Sequence, residues 1–266
     1  MQSLKYYDYI QRLCLMDDIL MAKCFAGHNE CVDVLVRVIL GRDDLTIESS
    51  EIQKTLKSLW RSVVLDIHAT DTDKRKYNVE FQRWDKGASP ERARFNASMI
   101  DVNSLKPGQD FTELPEVYVI FITEHDVLGY GLPLYQIDRV IRANNQPFAD
   151  RSHIIYVNGE CRDESTPLGR LVHDLFCRNA GEMYYEALAE RVSYLKEQRK
   201  GVKEMSGVME EIFAEQEKKH EAAMKKGFAE RMIEGGKLAL QEIAEYSGLS
   251  LSTVRRLAKK LEASQN

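Results

Sequence analysis

Apolar residues near the amino terminus recur at helical spacing. Ile19, Ala22, Phe25, Val32, Leu35, Val36 and Ile39 fall three or four positions apart or in multiples of that step. The pattern predicts two amphipathic helices over 17–40, broken at Gly27-His28-Asn29 and stopped by Gly41. Further on the period shortens. Runs at 62–68 (SVVLDIH), Lys76–Gln82 (KYNVEFQ) and 116–122 (EVYVIFI) read as strands, the first two joined by the polar turn ATDTDKR. The third run is almost wholly apolar, as expected of a central strand covered on both faces. In the intervening SPERARFNASMIDVNSL, Pro90 suits the first turn of a helix. HIIYVN at 153–158 predicts a further strand, and Pro167–Phe176 a further helix. The order helix, helix, strand, strand, helix, strand gives an α/β fold class.

Beyond about residue 182 the pattern becomes one of long helical periodicity with dense mixed charge, which reads as solvated helices that connect parts or pair with a second copy. The tail LALQEIAEYSGLSLSTVRRLAKKLE differs. Ile243, Ala244, Leu249, Val254 and Leu257 stand at the apolar positions of two helices crossing over a turn at Gly248. Its second helix, capped by Ser250, carries Arg255, Arg256, Lys259 and Lys260 toward phosphates, with Ser252 and Thr253 at its amino end. The alternative is a helical hairpin used for packing alone. The expected domains are thus 1–181, a charged helical connector at 182–237, and a helix-turn-helix-like tail at 238–266.

Composition adds boundaries. At 266 residues, 44% hydrophobic and 30% charged, the chain can bury one substantial core plus an appendage. No run approaches the roughly 20 apolar residues of a membrane span, and the amino terminus lacks a secretory layout, so a cytoplasmic protein with no membrane partner is expected. Cys14, Cys24, Cys31, Cys161 and Cys177 are scattered without CxxC spacing, which supports neither a disulfide framework nor a zinc ribbon. The net charge of −5 argues against a globally basic nucleic-acid binder, though not against local basic surfaces or an acidic site.

The chemistry starts at Asp66. A carboxylate in the apolar strand VVLDIHA is costly to bury unless it meets a cation. If the two strands form a hairpin, Asp66 and Glu80 converge, and Gln82 shares the face of Glu80 because strand side chains repeat every two residues. Two carboxylates and the main-chain carbonyl of Phe81 make a hard oxygen site suited to Mg²⁺ or Mn²⁺. Such a site can activate water for phosphodiester hydrolysis without a side-chain nucleophile. His68 either joins that face as a ligand or proton relay, or is a hydrogen-bonded residue of the strand end.

Asp66, thirteen residues, then Glu80-Phe81-Gln82 resembles the PD-(D/E)xK nuclease signature with glutamine in the lysine place. With DDILMAKCFAGHNECVDVLVRVIL before it and KGASPERARFNASMID, LPEVYVIFITEHD and HIIYVNG after it, the chain over roughly 13–215 resembles the PD-(D/E)xK nuclease family transposases. The resemblance implies a restriction-endonuclease-like core, a mixed central sheet flanked by helices with an α-helical carboxy-terminal extension. It also implies metal-dependent DNA cleavage linked to mobile elements or recombination. Asp66 and Glu80 become metal ligands, Gln82 takes the lysine position, and Asp18 becomes a ligand to a second metal or its water. Glutamine is neutral, so positive charge near the phosphate must come from Arg83, or from Arg92 or Arg94, which stand two apart and cannot both face the site. The alternative is a catalytically inactive nuclease-fold protein that binds DNA or assembles complexes.

Overall fold

The computed structural model describes residues 6–58, 61–84 and 87–265. The helices expected over 17–40 form as α2 (Asp18–Phe25) and α3 (Asn29–Leu40), after a short α1 (Tyr7–Arg12). Gly41 closes α3 with a φ of 62°, a left-handed cap that glycine adopts without a Cβ clash. Next come β1 (Ile47–Leu56), β2 (Val63–Asp71), β3 (Lys76–Gln82), α4 (Pro90–Ser104) and β4 (Val117–Thr123). Strands β5 (Leu134–Ile137), β6 (Val140–Ile141), β7 (Gln146–Pro147) and β8 (Ser152–Asn158) precede α5 (Pro167–Phe176) and α6 (Glu186–Glu197). The remainder is α7 (Arg199–Gly235), α8 (Leu240–Ser247) and α9 (Leu251–Gln265).

Six strands form one mixed sheet in the order β1-β2-β3-β4-β8-β5. β1, β2 and β3 are antiparallel neighbours, β3, β4 and β8 run parallel, and β5 returns antiparallel on β8. Every residue of β4 is buried, as its apolar run predicts for a strand covered on both faces. On one face, Ala93, Ala97 and Ile100 of α4 join a core with Val119, Phe121 and Tyr156. On the other, Phe25 of α2 meets Phe81 of β3 with ring centroids 5.9 Å apart. Because Glu80 pairs with Phe121 and Phe81 with Ile122, Glu80 belongs to the α4 side and Phe81 to the α2 side.

Besides α1 and β5 to β7, which the sequence reading did not include, two features near the hairpin depart from it. Strand β1 fell on IESSEIQKTL, whose mostly polar positions conceal a strand at the sheet edge. The run ATDTDKR is not all turn: Ala69, Thr70 and Asp71 complete β2. Asp71 then accepts the Arg75 N–H at 2.8 Å and the Tyr77 hydroxyl at 2.8 Å, which closes the hairpin.

Contacts divide the chain into two units after Ser206. In the second, the end of α7 with α8 and α9 surrounds a small core of Ala229, Ile243, Val254 and Leu257. Gly248 ends α8 with a φ of 66°, and the Ser250 hydroxyl accepts the Thr253 N–H at 3.2 Å to cap α9. Among the described residues, no helix is long and apolar enough to cross a membrane.

In the first unit, α6 fastens the amino-terminal segment. Lys196 is 1% exposed, and its ammonium donates to the carbonyls of Leu13 at 2.5 Å, Arg178 at 2.6 Å and Gln11 at 3.2 Å. Burial pushes its pKa down, and the carbonyl dipoles are what keep the charge tolerable. Lys196→Met keeps the apolar stem and leaves the acceptors unpaired, so urea unfolding is expected to show a loss of about 2–4 kcal/mol. A change below about 0.5 kcal/mol would mean that the clasp contributes nothing.

Candidate active site

The ladder between β2 and β3 runs from Thr70 opposite Lys76 to Ile67 opposite Val79 and stops there. Continued one step, the register sets Asp66 opposite Glu80. On its other side, Asp66 faces Gln53 of β1, which lies between the pairs Ile52–Ile67 and Lys54–Leu65 and has a φ of 52°. A left-handed non-glycine residue in a strand is uncommon and marks a local break in the ladder. Asp66 is thus released on both sides, and its Oδ2 accepts the Phe81 N–H at 2.9 Å in place of a strand partner.

Glu80 is fully buried. Arg92 of α4 donates from Nη2 to its Oε2 at 2.6 Å, and Asn96 Nδ2 donates to its Oε1 at 3.4 Å. The other arm of the same guanidinium, Nη1, donates to the Gly87 carbonyl at 2.8 Å and to Gln82 Oε1 at 3.4 Å. One arginine therefore links the glutamate and the glutamine, which do share a face. Gly87 makes room for this: a Cβ there would lie 1.8 Å from Gln82 Oε1. Arg94, two residues from Arg92, is exposed, as helical geometry requires of at most one of the pair facing the site.

An open pocket of about 270 Å³ is lined by Asp17 and Asp18 at the start of α2 together with Asp66, Gln82, Arg83 and Trp84. Arg83 does not stand free in it. Its Nη1 donates to Asp17 Oδ1 at 2.6 Å and its Nε to Glu124 Oε2 at 2.9 Å, so it ties α2 to the end of β4. Trp84 is 83% exposed at the rim. Asp17, Glu124, Trp84 and Asn96 were not anticipated. Asp17 stands next to Asp18 in the sequence, but nothing in the pattern marked Glu124 or Asn96, which reach the site through sheet and helix packing.

The charges explain each other. Burial raises the Asp66 pKa, and the nearby Asp18 carboxylate raises it further against the pull of the Phe81 N–H and Arg92. Burial also raises Glu80 from its ordinary 4.5 to about 7, with Asp66 adding to the rise and Arg92 opposing it. Asp66 and Glu80 thus share the influence of one guanidinium, Arg92, and Asp18 adds a further carboxylate near Asp66, a negative charge that a divalent cation would offset. No three His, Cys, Asp or Glu side chains among the described residues are gathered as a ready metal cage. The hard oxygen donors at hand for Mg²⁺ would be Asp66, a main-chain oxygen such as that of Phe81, and Glu80 once it releases Arg92 or Asn96, completed by water. His68 is elsewhere: it lines a separate pocket with Lys54 and Lys76, and burial followed by those two ammonium groups lowers its pKa to about 4.

A mixed sheet flanked by helices, with carboxylates collected where β2 and β3 part, defines a restriction-endonuclease-like core. Residues 39–162 match the family model of the PD-(D/E)XK nuclease family transposases. Residues 232–265 match the IclR helix-turn-helix domain. No curated protein and no solved structure matches the chain. The resemblance drawn over 13–215 therefore holds over a narrower span. Asp66, Glu80, Phe81, Gln82, Arg83, Arg92 and Arg94 fall inside it, whereas Asp18 lies outside; Arg255, Arg256 and Lys259 fall inside the helix-turn-helix match.

A raised carboxyl pKa favours the protonated folded state. In metal-free protein, the contribution of Glu80 to stability is complete below its ordinary 4.5 and lost as pH rises through about 7. The melting temperature is expected to fall between about pH 5 and pH 8, and Glu80→Gln to flatten that fall. Identical slopes for the two proteins would remove Glu80 as the titrating group.

Proposed function

We propose that the protein is a divalent-metal-dependent DNA endonuclease of the mobile-element or recombination type, in which Asp66, Glu80 and the Phe81 carbonyl hold the ion. The reading is carried by one observation: Asp66 and Glu80 are carboxylates withdrawn from water and brought side by side, the charge of Asp66 raising the cost of charge on Glu80, inside a segment that matches a nuclease family. Mg²⁺ or Mn²⁺ held there would lower the pKa of a bound water and offset charge growing on the phosphate.

Each side chain then has its own task. Arg92 favours the ionised form of Glu80 and keeps its carboxylate aimed beside Gln82. Gln82 hydrogen-bonds the attacking water or a phosphate oxygen, but brings no charge where lysine would. The missing cation is supplied in part by Arg92. Asp18 holds a second ion or orients its water. Arg83 fixes Asp17 and the pocket wall, while exposed Arg94 is available to the DNA backbone. Residues 1–181 together with α6 carry this chemistry, the rest of 182–237 connects it and pairs with a second copy, and 238–266 bind DNA through Arg255, Arg256 and Lys259, all exposed on α9.

Purified protein with Mg²⁺ or Mn²⁺ is expected to nick or linearise supercoiled plasmid, and Asp66→Ala or Glu80→Ala to reduce the rate at least about a hundredfold. Cleavage insensitive to both changes rejects the assignment. Absence of cleavage in every protein, with DNA binding retained, leaves instead an inactive nuclease fold serving as a DNA-binding or assembly module. For the tail, the combined Arg255→Ala and Arg256→Ala protein is expected to bind duplex DNA more weakly, with a log–log salt slope shallower by about 2. An unchanged slope takes α9 out of the DNA contact.

A further inference from the structure

A second pocket, of about 450 Å³, opens over the other end of the β2–β3 hairpin. Its lining includes Lys54 of β1, His68 of β2, Lys74 of the hairpin turn and Lys76 of β3, with Asn103 and Ser104 from the end of α4. None of these residues belongs to the carboxylate site.

Three ammonium groups share this pocket with little to neutralise them. Lys54 donates to Glu51 at 2.5 Å and Lys74 to Glu48 at 2.5 Å, but both carboxylate side chains are more than half exposed. Such surface pairs are worth about 0–1 kcal/mol and exchange readily for a better anion. Lys76 is different. It is half-buried, its ammonium donates to the Thr70 hydroxyl at 2.8 Å, and among the described residues no carboxylate lies at ion-pair distance from it. Burial, and then the neighbouring Lys54 charge, depress its pKa. The remaining acid of the lining, Glu113, is drawn to the Asp110 N–H at 3.0 Å and the Gln109 side chain at 2.9 Å.

Two further features of the lining bear on its strain. His68 is 7% exposed, and its Nδ1 has no hydrogen-bond partner, although buried polar atoms are nearly always paired. Lys74 holds a φ of 67° in the hairpin turn, a left-handed position where asparagine or glycine is the ordinary occupant. A compact, multiply charged oxyanion would accept from the lysines and sit beside the His68 side chain that lines the pocket. A volume of this size admits more than an isolated ion.

We propose that this pocket binds a phosphoryl group, carried either by a free nucleotide or by the DNA backbone. The inference stands apart from the nuclease reading, because it uses none of the residues assigned to metal or cleavage. Three probes separate the sources: inorganic pyrophosphate, ADP and a short DNA duplex, each titrated into full-length protein by calorimetry at constant ionic strength. Lys76→Gln is expected to weaken binding of the relevant probe about tenfold or more, the loss of one charge-assisted contact, while Lys203→Gln on an exposed face of α7 leaves it unchanged. Circular dichroism of both variants checks folding. In ¹⁵N-histidine spectra, the His68 ring signals are expected to move on addition of that probe. Sensitivity confined to pyrophosphate and ADP assigns a nucleotide site, and sensitivity confined to the duplex assigns a DNA-backbone contact. No binding of any probe, equal effects of the two lysine substitutions, or an unmoved His68 signal overturns the proposal.

Discussion

The contact between Glu80 and Arg92 governs the architecture around it. A carboxylate with no exposed surface must find a cation or lose its charge, and the cation β3 carries on that face, Lys76, lies four residues away and is engaged with Thr70. The guanidinium comes from the first turn of α4, where Pro90 and the Ser89 cap start the helix. Satisfying Glu80 therefore fixes where α4 begins and how it lies over the sheet. The same guanidinium reaches Gln82 and the Gly87 carbonyl, so the turn between β3 and α4 is drawn into the one arrangement. Arg92 remains partly open to water, its side chain 36% exposed, and so does not neutralise Glu80 completely. The incomplete balance leaves Glu80 near its protonation point beside Asp66, a poise suited to exchanging a proton for a metal ion.

Much of this framework is legible in the chain because local periodicity and burial agree. KYNVEFQ forms a strand with the bounds its alternation predicts, and Pro90 opens a helix where proline fits best. The pairing of Asp66 with Glu80 can be read because a hairpin relates residues close in sequence. Other contacts could not. β1 is an edge strand interrupted at Gln53, so its alternation never becomes regular. Glu124 meets Arg83 across 41 positions, and only the parallel pairing of β3 with β4 brings them together. His68 remained ambiguous in the sequence because a period of two cannot say which end of a sheet face holds a cavity.

The two family matches fall in different parts of the chain. The nuclease-family segment ends at residue 162 and the helix-turn-helix match begins at 232. Each has its own core, one centred on β4 and α4 and the other on Ile243 and Val254. Within a chain whose net charge is −5, the separation keeps a locally basic helix apart from the acidic pocket. Basic residues are concentrated along α9, while acidic residues gather where a cation is wanted.

The Lys196 clasp has a temporal consequence. The Asp66–Glu80 hairpin and Arg92 are neighbours along the chain and can assemble soon after they are synthesised. The wall that carries Asp17 and Asp18 is held by a lysine 183 positions beyond Leu13. During translation that wall has its Arg83 tie but lacks the Lys196 clasp until α6 has left the ribosome, so a nascent chain carries the carboxylate pair well before it carries a finished pocket. A nuclease built in this order would be inert while still being made.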